Sequence, residues 1–258
     1  MTPGTAGAKA RKVAWVTGAG KGIGREVAKR LSDDGWSVAV SARSEDDLRR
    51  LASDCRAETI HSFPLDVTDL SATVETVARI SARLGPPDLV IFNAGTHLPL
   101  TADRFSVEDF RALVETNLMG TVNGLSQILP QMIARKSGHV AVVASLAGYR
   151  GLPTAAAYGA TKAGLINMCE ALNPELAQHG VRLTLINPGF VRTSLTDRND
   201  FPMPDIISVE KAAAKIMRGL AANSFEVAFP WRFAFMMKLL RMLPDPMFFA
   251  LTRRMVRP

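Results

Sequence analysis

The chain has 258 residues, 47% of them hydrophobic, and a formal net charge of +7. That length supports one sizeable core in one or two domains. The charge is terminal: residues 1–12 carry +3, residues 231–258 carry +5, and the remainder carries −1. A nearly neutral body argues against nucleic-acid binding, whereas a basic tail is suited to an anionic surface. Cys55 and Cys169 lie far apart with no C-x-x-C pair, so no disulfide framework is expected and a reducing, cytoplasmic setting fits. His61, His97, His139 and His179 have no metal-ligand spacing, so no metal site is expected and they read as ordinary surface or core residues. Residues 1–12 are small and polar, and read as a loose tail rather than a signal peptide.

In chain order, a strand at Val13–Thr17 runs into a glycine loop, followed by a helix at Gly22–Asp34 with Ile23, Val27 and Leu31 four apart. A strand at Ser37–Ala42, a helix at Glu45–Cys55, a strand at Glu58–Phe63 and a helix at Leu70–Leu84 come next. Asp88–Asn93 is a short, strongly apolar strand, and Val107–Arg135 is a long helical stretch. His139–Ser145 is a strand, Ala156–His179 a helix, Val181–Asn187 a strand, Val209–Ala222 a helix and Glu226–Phe229 a last strand. Pro174 is expected to kink or break its helix. Strands that are apolar throughout and alternate with helices predict an α/β, Rossmann-like, doubly wound parallel sheet over residues 13–230. Such sheets bind ligands where the strands' carboxyl ends meet, so the strand-ending residues are the ones to examine.

The first of these is V-T-G-A-G-K-G-I-G. Gly18, Gly22 and Gly24 give G-x-x-x-G-x-G, which is neither G-x-G-x-x-G nor a phosphate loop ending in Gly-Lys-Ser/Thr. A strand before and a helix after still make it a phosphate cradle, because the helix N-terminus offers free N–H groups. Further along, Tyr158 and Lys162 lie four apart, which puts both on one helix face with Cβ atoms about 5–6 Å apart. A free tyrosine has a pKa of about 10. A neighbouring ammonium is expected to lower it, so that Tyr158 exchanges a proton with an alcohol or ketone oxygen. Ser145, at a strand end on the same sheet edge, can donate to that oxygen. Tyr149 has Pro153 rather than a lysine four residues on, and is expected to line the substrate pocket.

T-G-A-G-K-G-I-G resembles the loop of the short-chain dehydrogenase/reductase family, and the chain matches that family in order at further positions. These are Asn93-Ala94-Gly95, Asn117, Ser145, Tyr158-x-x-x-Lys162, Pro188-Gly189 and Thr193, so the resemblance spans roughly residues 13 to 195. It implies an oxidoreductase with a nicotinamide cofactor held by Gly18, Lys21, Gly22, Ile23, Gly24, Asn93, Gly95, Pro188, Gly189, Val191 and Thr193. Thr193 would bond the carboxamide. The family's adenine-contacting pair corresponds to Asp66 and Val67. Lys162 would also bond the nicotinamide ribose, and Asn117 would hold a water in a proton relay to Lys162. The resemblance further implies a homodimer or homotetramer paired through the two long helices.

In dinucleotide folds an acid ending the second strand selects NAD. Here Ala42 stands at that place and Arg43 follows. An arginine matches a 2′-phosphate by bidentate hydrogen bonds, and Lys21 lies across the same ribose in the family's geometry. NADP(H) is therefore expected, with a secondary alcohol or ketone as substrate and reduction as the direction. A catalytically silent sensor or scaffold on the same fold is the alternative. The segment from Ser194 to Asp205 reads as the substrate loop. With the Met- and Phe-rich tail it suggests an apolar substrate.

The tail from Trp231 to Pro258 includes W-R-F-A-F-M-M-K-L-L-R-M-L, apolar nearly all round a helical wheel. Thirteen positions before Pro244 fall short of the roughly 20 apolar residues that span a bilayer. Three readings stay open: a helix packed on its own domain or on a partner subunit, a lid over the pocket, or an interfacial membrane anchor.

Overall fold

The computed structural model describes residues 11–55, 59–198 and 203–256. Most of the N-terminal tail and part of the expected substrate loop (199–202) therefore lie outside the described residues.

Seven strands form one sheet: β1 (Val13–Thr17), β2 (Ser37–Ser41), β3 (Ile60–Ser62), β4 (Leu89–Phe92), β5 (Gly138–Val143), β6 (Val181–Pro188) and β7 (Glu226–Phe229). Every pairing is parallel and the order is β3-β2-β1-β4-β5-β6-β7. The chain starts mid-sheet, steps outward to β3, then returns past β1 to lay down β4. Between β1 and β4 the winding reverses, and at such a switch point the connections leave in opposite directions and open a crevice.

Successive residues of the strands point to opposite faces, so each face has its own core. Val16, Val40 and Ile91 pack with Val27 and Leu31 of α1 (Gly22–Asp33), Leu48 of α2 (Glu45–Ser53) and Ile216 of α7 (Val209–Ala221). Trp15, Phe92 and Val142 pack with Ile80 of α3 (Leu70–Leu84), Ile128 of α5 (Gly120–Ala134) and Leu165 of α6 (Ala156–Gln178). Trp15 and Phe92 meet edge to face, 5.9 Å between ring centroids. Helices on both faces are why the strands read as apolar throughout. Ser44, Asp69 and Ser208 cap α2, α3 and α7 by accepting a backbone N–H, which marks where those helices start.

The long stretch expected at Val107–Arg135 is helical but not uniform. α4 (Val107–Val114) passes into a wider π turn at Glu115–Met119 before α5 begins. That turn holds Asn117. At Pro174 the expected break does not occur, since α6 runs unbroken from Ala156 to Gln178. The tail forms α8 (Trp231–Met242) and α9 (Asp245–Thr252). Phe233, Ala234 and Met237 of α8 join the core on the α6 side, so the packed-helix reading describes its inner face. Among the described residues no helix is long and apolar enough to cross a membrane.

Candidate active site

The glycine loop is built around close approach. Gly18 and Gly22 have φ of +66° and +57°, a region that glycine enters without strain. A Cβ on Gly24 would stand 2.6 Å from the Gly18 carbonyl oxygen and 2.4 Å from Asn93 Nδ2. Asn93 ties the loop to β4, donating from Nδ2 to the Thr17 and Gly18 carbonyls at 3.1 Å each. Thr17 Oγ1 returns the tie by accepting from the backbone N–H groups of Asn93 and Ala94. α1 then starts at Gly22, and the side chain of Lys21 before it makes no capping bond. The helix's first N–H groups thus face a cradle that only glycine backbone leaves open, which fits the pyrophosphate of a dinucleotide.

From this cradle a cleft runs along the strands' carboxyl ends. Ile23, Asn93 and Gly95 line one side, and Ser145, Tyr158 and Lys162 line the base. Pro188, Gly189, Val191 and Thr193 line the other side. Thr193 faces the loop directly: a Cβ on Gly22 would lie 3.2 Å from Thr193 Cγ2.

Ser145 accepts from the Ala147 N–H at 3.1 Å and donates to the Pro188 carbonyl at 3.3 Å. It also hydrogen-bonds Tyr158. Lys162 is buried, donates to the Val143 carbonyl at 2.9 Å, and holds its Nζ 5.7 Å from the centre of the Tyr158 ring. Burial pushes the Lys162 ammonium down to about 8. Tyr158 differs in direction from the sequence expectation. Its pKa is raised, because burial outweighs the lowering effect of the Ser145 hydrogen bond. At neutral pH the phenol is protonated, with a cation behind it.

Asn117 is fully buried, and its side chain pins the loop after β4. Its Oδ1 accepts from the Thr96 N–H at 2.7 Å, and its Nδ2 donates to the Thr96 carbonyl at 2.9 Å and to Thr161 Oγ1 at 3.2 Å. A Cβ on Gly95 would come 3.2 Å from Asn117 Oδ1 and 3.5 Å from Lys162 Nζ, so glycine there lets both polar groups close in. The π turn aims Asn117 at this spot.

Tyr149 is placed elsewhere than in the pocket. It is buried in the core, its hydroxyl donates to Glu226 Oε1, and it does not line the cleft. Burial and the Glu226 contact raise its pKa. Glu226 on β7, 77 positions away in sequence, carries no local signal that would reveal this partnership. Sequence reasoning also passed over His97, whose ring stands edge to face on Tyr158 at 4.7 Å. Its position two residues beyond Asn93-Ala94-Gly95 was the available signal.

At the far end, Ala42 and Arg43 follow β2. Glu45 and Asp46 pair with Arg49, and among the described residues Arg43 has no ion pair. The corner does hold a carboxylate that local reading overlooked. Lys21 Nζ lies 3.4 Å from Asp47 Oδ2, brought in by the first turn of α2. Asp66 is exposed and folds onto its own turn, accepting from the Thr68 N–H and hydroxyl. Val67 packs under Gly120, and its carbonyl accepts from Asn123 Nδ2 at 3.0 Å.

Comparison with known proteins supplies the family. Residues 12–201 match the family described as short chain dehydrogenase. An uncharacterized oxidoreductase of Myxococcus xanthus is 40% identical over 246 residues, covering 95% of this chain and 97% of that protein. A short-chain dehydrogenase from Streptomyces avermitilis superposes with a TM-score of 0.80 at 27% identity, covering 94% of this chain and 96% of that one. A variant of actinorhodin polyketide ketoreductase, solved with NADPH, gives 0.76 at 28% identity, covering 84% and 94%.

Proposed function

This chain belongs to the short-chain dehydrogenase family and is an oxidoreductase, and from that premise we propose that it passes a hydride between NADP(H) and a secondary alcohol or ketone. The observation that carries the reading is the meeting of Ser145, Tyr158 and Lys162 on one cleft beside the glycine cradle. Bound in that cleft, the nicotinamide would supply or accept the hydride at the substrate carbon. The residues do the rest. Ser145 positions the substrate oxygen. Tyr158, held protonated by its burial, donates to that oxygen in reduction. Lys162 faces the developing phenolate with positive charge, and Asn117, which pins the loop at Thr96, would hold the water of a proton relay to Lys162.

Arg43, exposed and without an ion pair among the described residues, supports a 2′-phosphate and hence NADP(H). Lys21 contributes less, because Asp47 already meets it. The structural relative solved with NADPH is in keeping with this choice. Cells commonly keep the NADP pool reduced, which favours carbonyl reduction. The mixed apolar character of the cleft mouth, where Leu195 joins it, favours an apolar ketone. Pairing through α4–α5 and α6 into a dimer or tetramer completes the proposal.

A panel of aliphatic and aromatic ketones, offered with NADPH and with NADH and followed at the nicotinamide absorbance, tests the reading. Turnover with NADPH well above NADH is expected. A chain that binds NADPH but turns over no ketone would be the silent sensor instead.

A further inference from the structure

The outer face of α8 is apolar where a surface helix should be polar. Trp231, Phe235, Leu239 and Met242 recur at spacings of four, four and three, which places them on one side of the helix. They are 68%, 59%, 48% and 77% exposed, opposite the buried Phe233, Ala234 and Met237. α9 and the turn after it carry further exposed apolar side chains, Met247, Phe249, Leu251 and Met255. Contiguous exposed apolar surface of this kind marks an interaction site.

Charge decides the partner. Asp245 is the only acid in residues 231–258. It is taken up by Arg150, whose guanidinium bonds Asp245 Oδ1 at 2.5 Å and the Leu243 carbonyl at 2.6 Å. The same guanidinium stacks 4.1 Å over the Phe248 ring. Arg150 therefore locks the angle between α8 and α9 and cancels the one negative charge there. Lys238 is likewise spent on Glu226. Arg232, Arg241, Arg253 and Arg254 are left without ion pairs among the described residues. A second copy seated on this face would bring two cationic patches together, which is unfavourable. An anionic bilayer surface offers apolar depth for the tryptophan, phenylalanines and methionines, and phosphate charge for the arginines.

We propose that the α8–α9 segment docks this protein on anionic lipid bilayers, lying in the interface with the Trp231–Phe235–Leu239–Met242 ridge inserted. The proposal rests on the tail alone, independently of the reaction. It has a geometric consequence for the site. Phe233, on the inner face of the same helix, packs on Phe190 with 5.4 Å between centroids, and a Cβ on Gly189 would lie 2.8 Å from its ring. One helix thickness, roughly 10 Å, separates the docked ridge from the cleft wall.

The test is co-sedimentation of the full-length chain with vesicles of phosphatidylcholine alone and of phosphatidylcholine mixed with phosphatidylglycerol. Binding is expected with the mixed vesicles and is expected to fall as salt is added. The triple variant Trp231→Ser, Phe235→Ser, Met242→Ser is expected to weaken it at least about tenfold, since three large side chains no longer enter the apolar layer. Arg253→Glu with Arg254→Glu is expected to weaken it also, with thermal unfolding unchanged. No phosphatidylglycerol-dependent sedimentation, or equal binding by wild type and both variants, overturns the proposal. So does a wild-type dimer that becomes monomeric in the triple variant and never binds vesicles.

Discussion

Tyr149 donates a hydrogen bond from its hydroxyl to Glu226 Oε1, and Asn187 Nδ2 donates to the same oxygen at 2.8 Å. The chain has two tyrosines. With Tyr149 committed to this buried knot, Tyr158 is the one that lines the cleft. Burial works to raise the Glu226 carboxyl, yet its bonds to Lys238, Tyr149 and Asn187 prevail and hold it below its usual value. Tyr149→Phe is therefore expected to leave kcat close to wild type while costing about 1–3 kcal/mol of stability through a half-satisfied carboxylate. Tyr158→Phe is expected to lower kcat by about two to four orders of magnitude without that loss of stability. Comparable losses of turnover in the two variants would contradict the assignment.

Ala42 stands where an NAD-selecting acid would end β2, and Arg43 follows it. Arg43→Asp is expected to raise the Kd for NADPH roughly 10- to 100-fold, the worth of one or two charge-assisted hydrogen bonds. NADH affinity is expected to hold or improve, because an acid there accepts from the ribose hydroxyls. Titrating both nucleotides by fluorescence reads the two effects separately. An unchanged ratio between them would sink the NADP(H) reading.

Gly24→Ala should collapse the cradle, since its Cβ would lie 2.6 Å from the Gly18 carbonyl oxygen and 2.4 Å from Asn93 Nδ2. A loss of about 1–3 kcal/mol is expected, together with loss of nucleotide binding. Differential scanning calorimetry with and without NADPH measures both, and an NADPH-induced rise in Tm equal to that of wild type would refute it.

Buried Lys162 makes stability depend on alkaline pH. Its folded value is pushed down to about 8, from 10.5. Between these values the unfolded chain keeps a proton that the folded chain has released, so stability rises with pH. The gain is on the order of 3 kcal/mol, complete above about pH 10.5. Urea unfolding of wild type against Lys162→Met across that window isolates the contribution, and parallel profiles would count against it.

His139 works at the acid end. Burial first, and then the Arg182 charge, push its imidazole down to about 4, while Nε2 meets Thr184 Oγ1 at 2.9 Å. As pH falls from about 6.5 to 4, the unfolded chain takes up a proton that the folded chain refuses. Stability drops by on the order of 3 kcal/mol over that range. His139→Gln is expected to flatten this part of the pH–stability curve measured by urea unfolding. A slope identical to wild type would show that the histidine is not responsible.

Much of the site is legible in local sequence because its parts obey local rules. A glycine that must take positive φ, a Tyr and Lys one helical turn apart, and a serine closing a strand each announce themselves within a few positions. Strand ends fell within two residues of their expected places wherever both ends are described, since an apolar run flanked by a turn marks its own limits. The π turn at Asn117 was harder to see, because its widening answers to the Thr96 backbone 21 positions earlier rather than to its neighbours.

By itself, the sequence determined the α/β class, the glycine loop between β1 and α1, the Ser145–Tyr158–Lys162 set and the missing acid after β2. All are encoded by periodicity and by residue types at short range. Only the tertiary structure decided that Tyr149 serves Glu226 rather than the substrate, that Asp47 meets Lys21, and that His97 leans on Tyr158. It alone showed that the inner face of α8 belongs to the core while an apolar ridge faces outward. Those pairings join segments far apart in the chain, and burial, not spacing, sets them. A side chain's partner, and the direction in which burial moves its pKa, exist only once the sheet has closed around it.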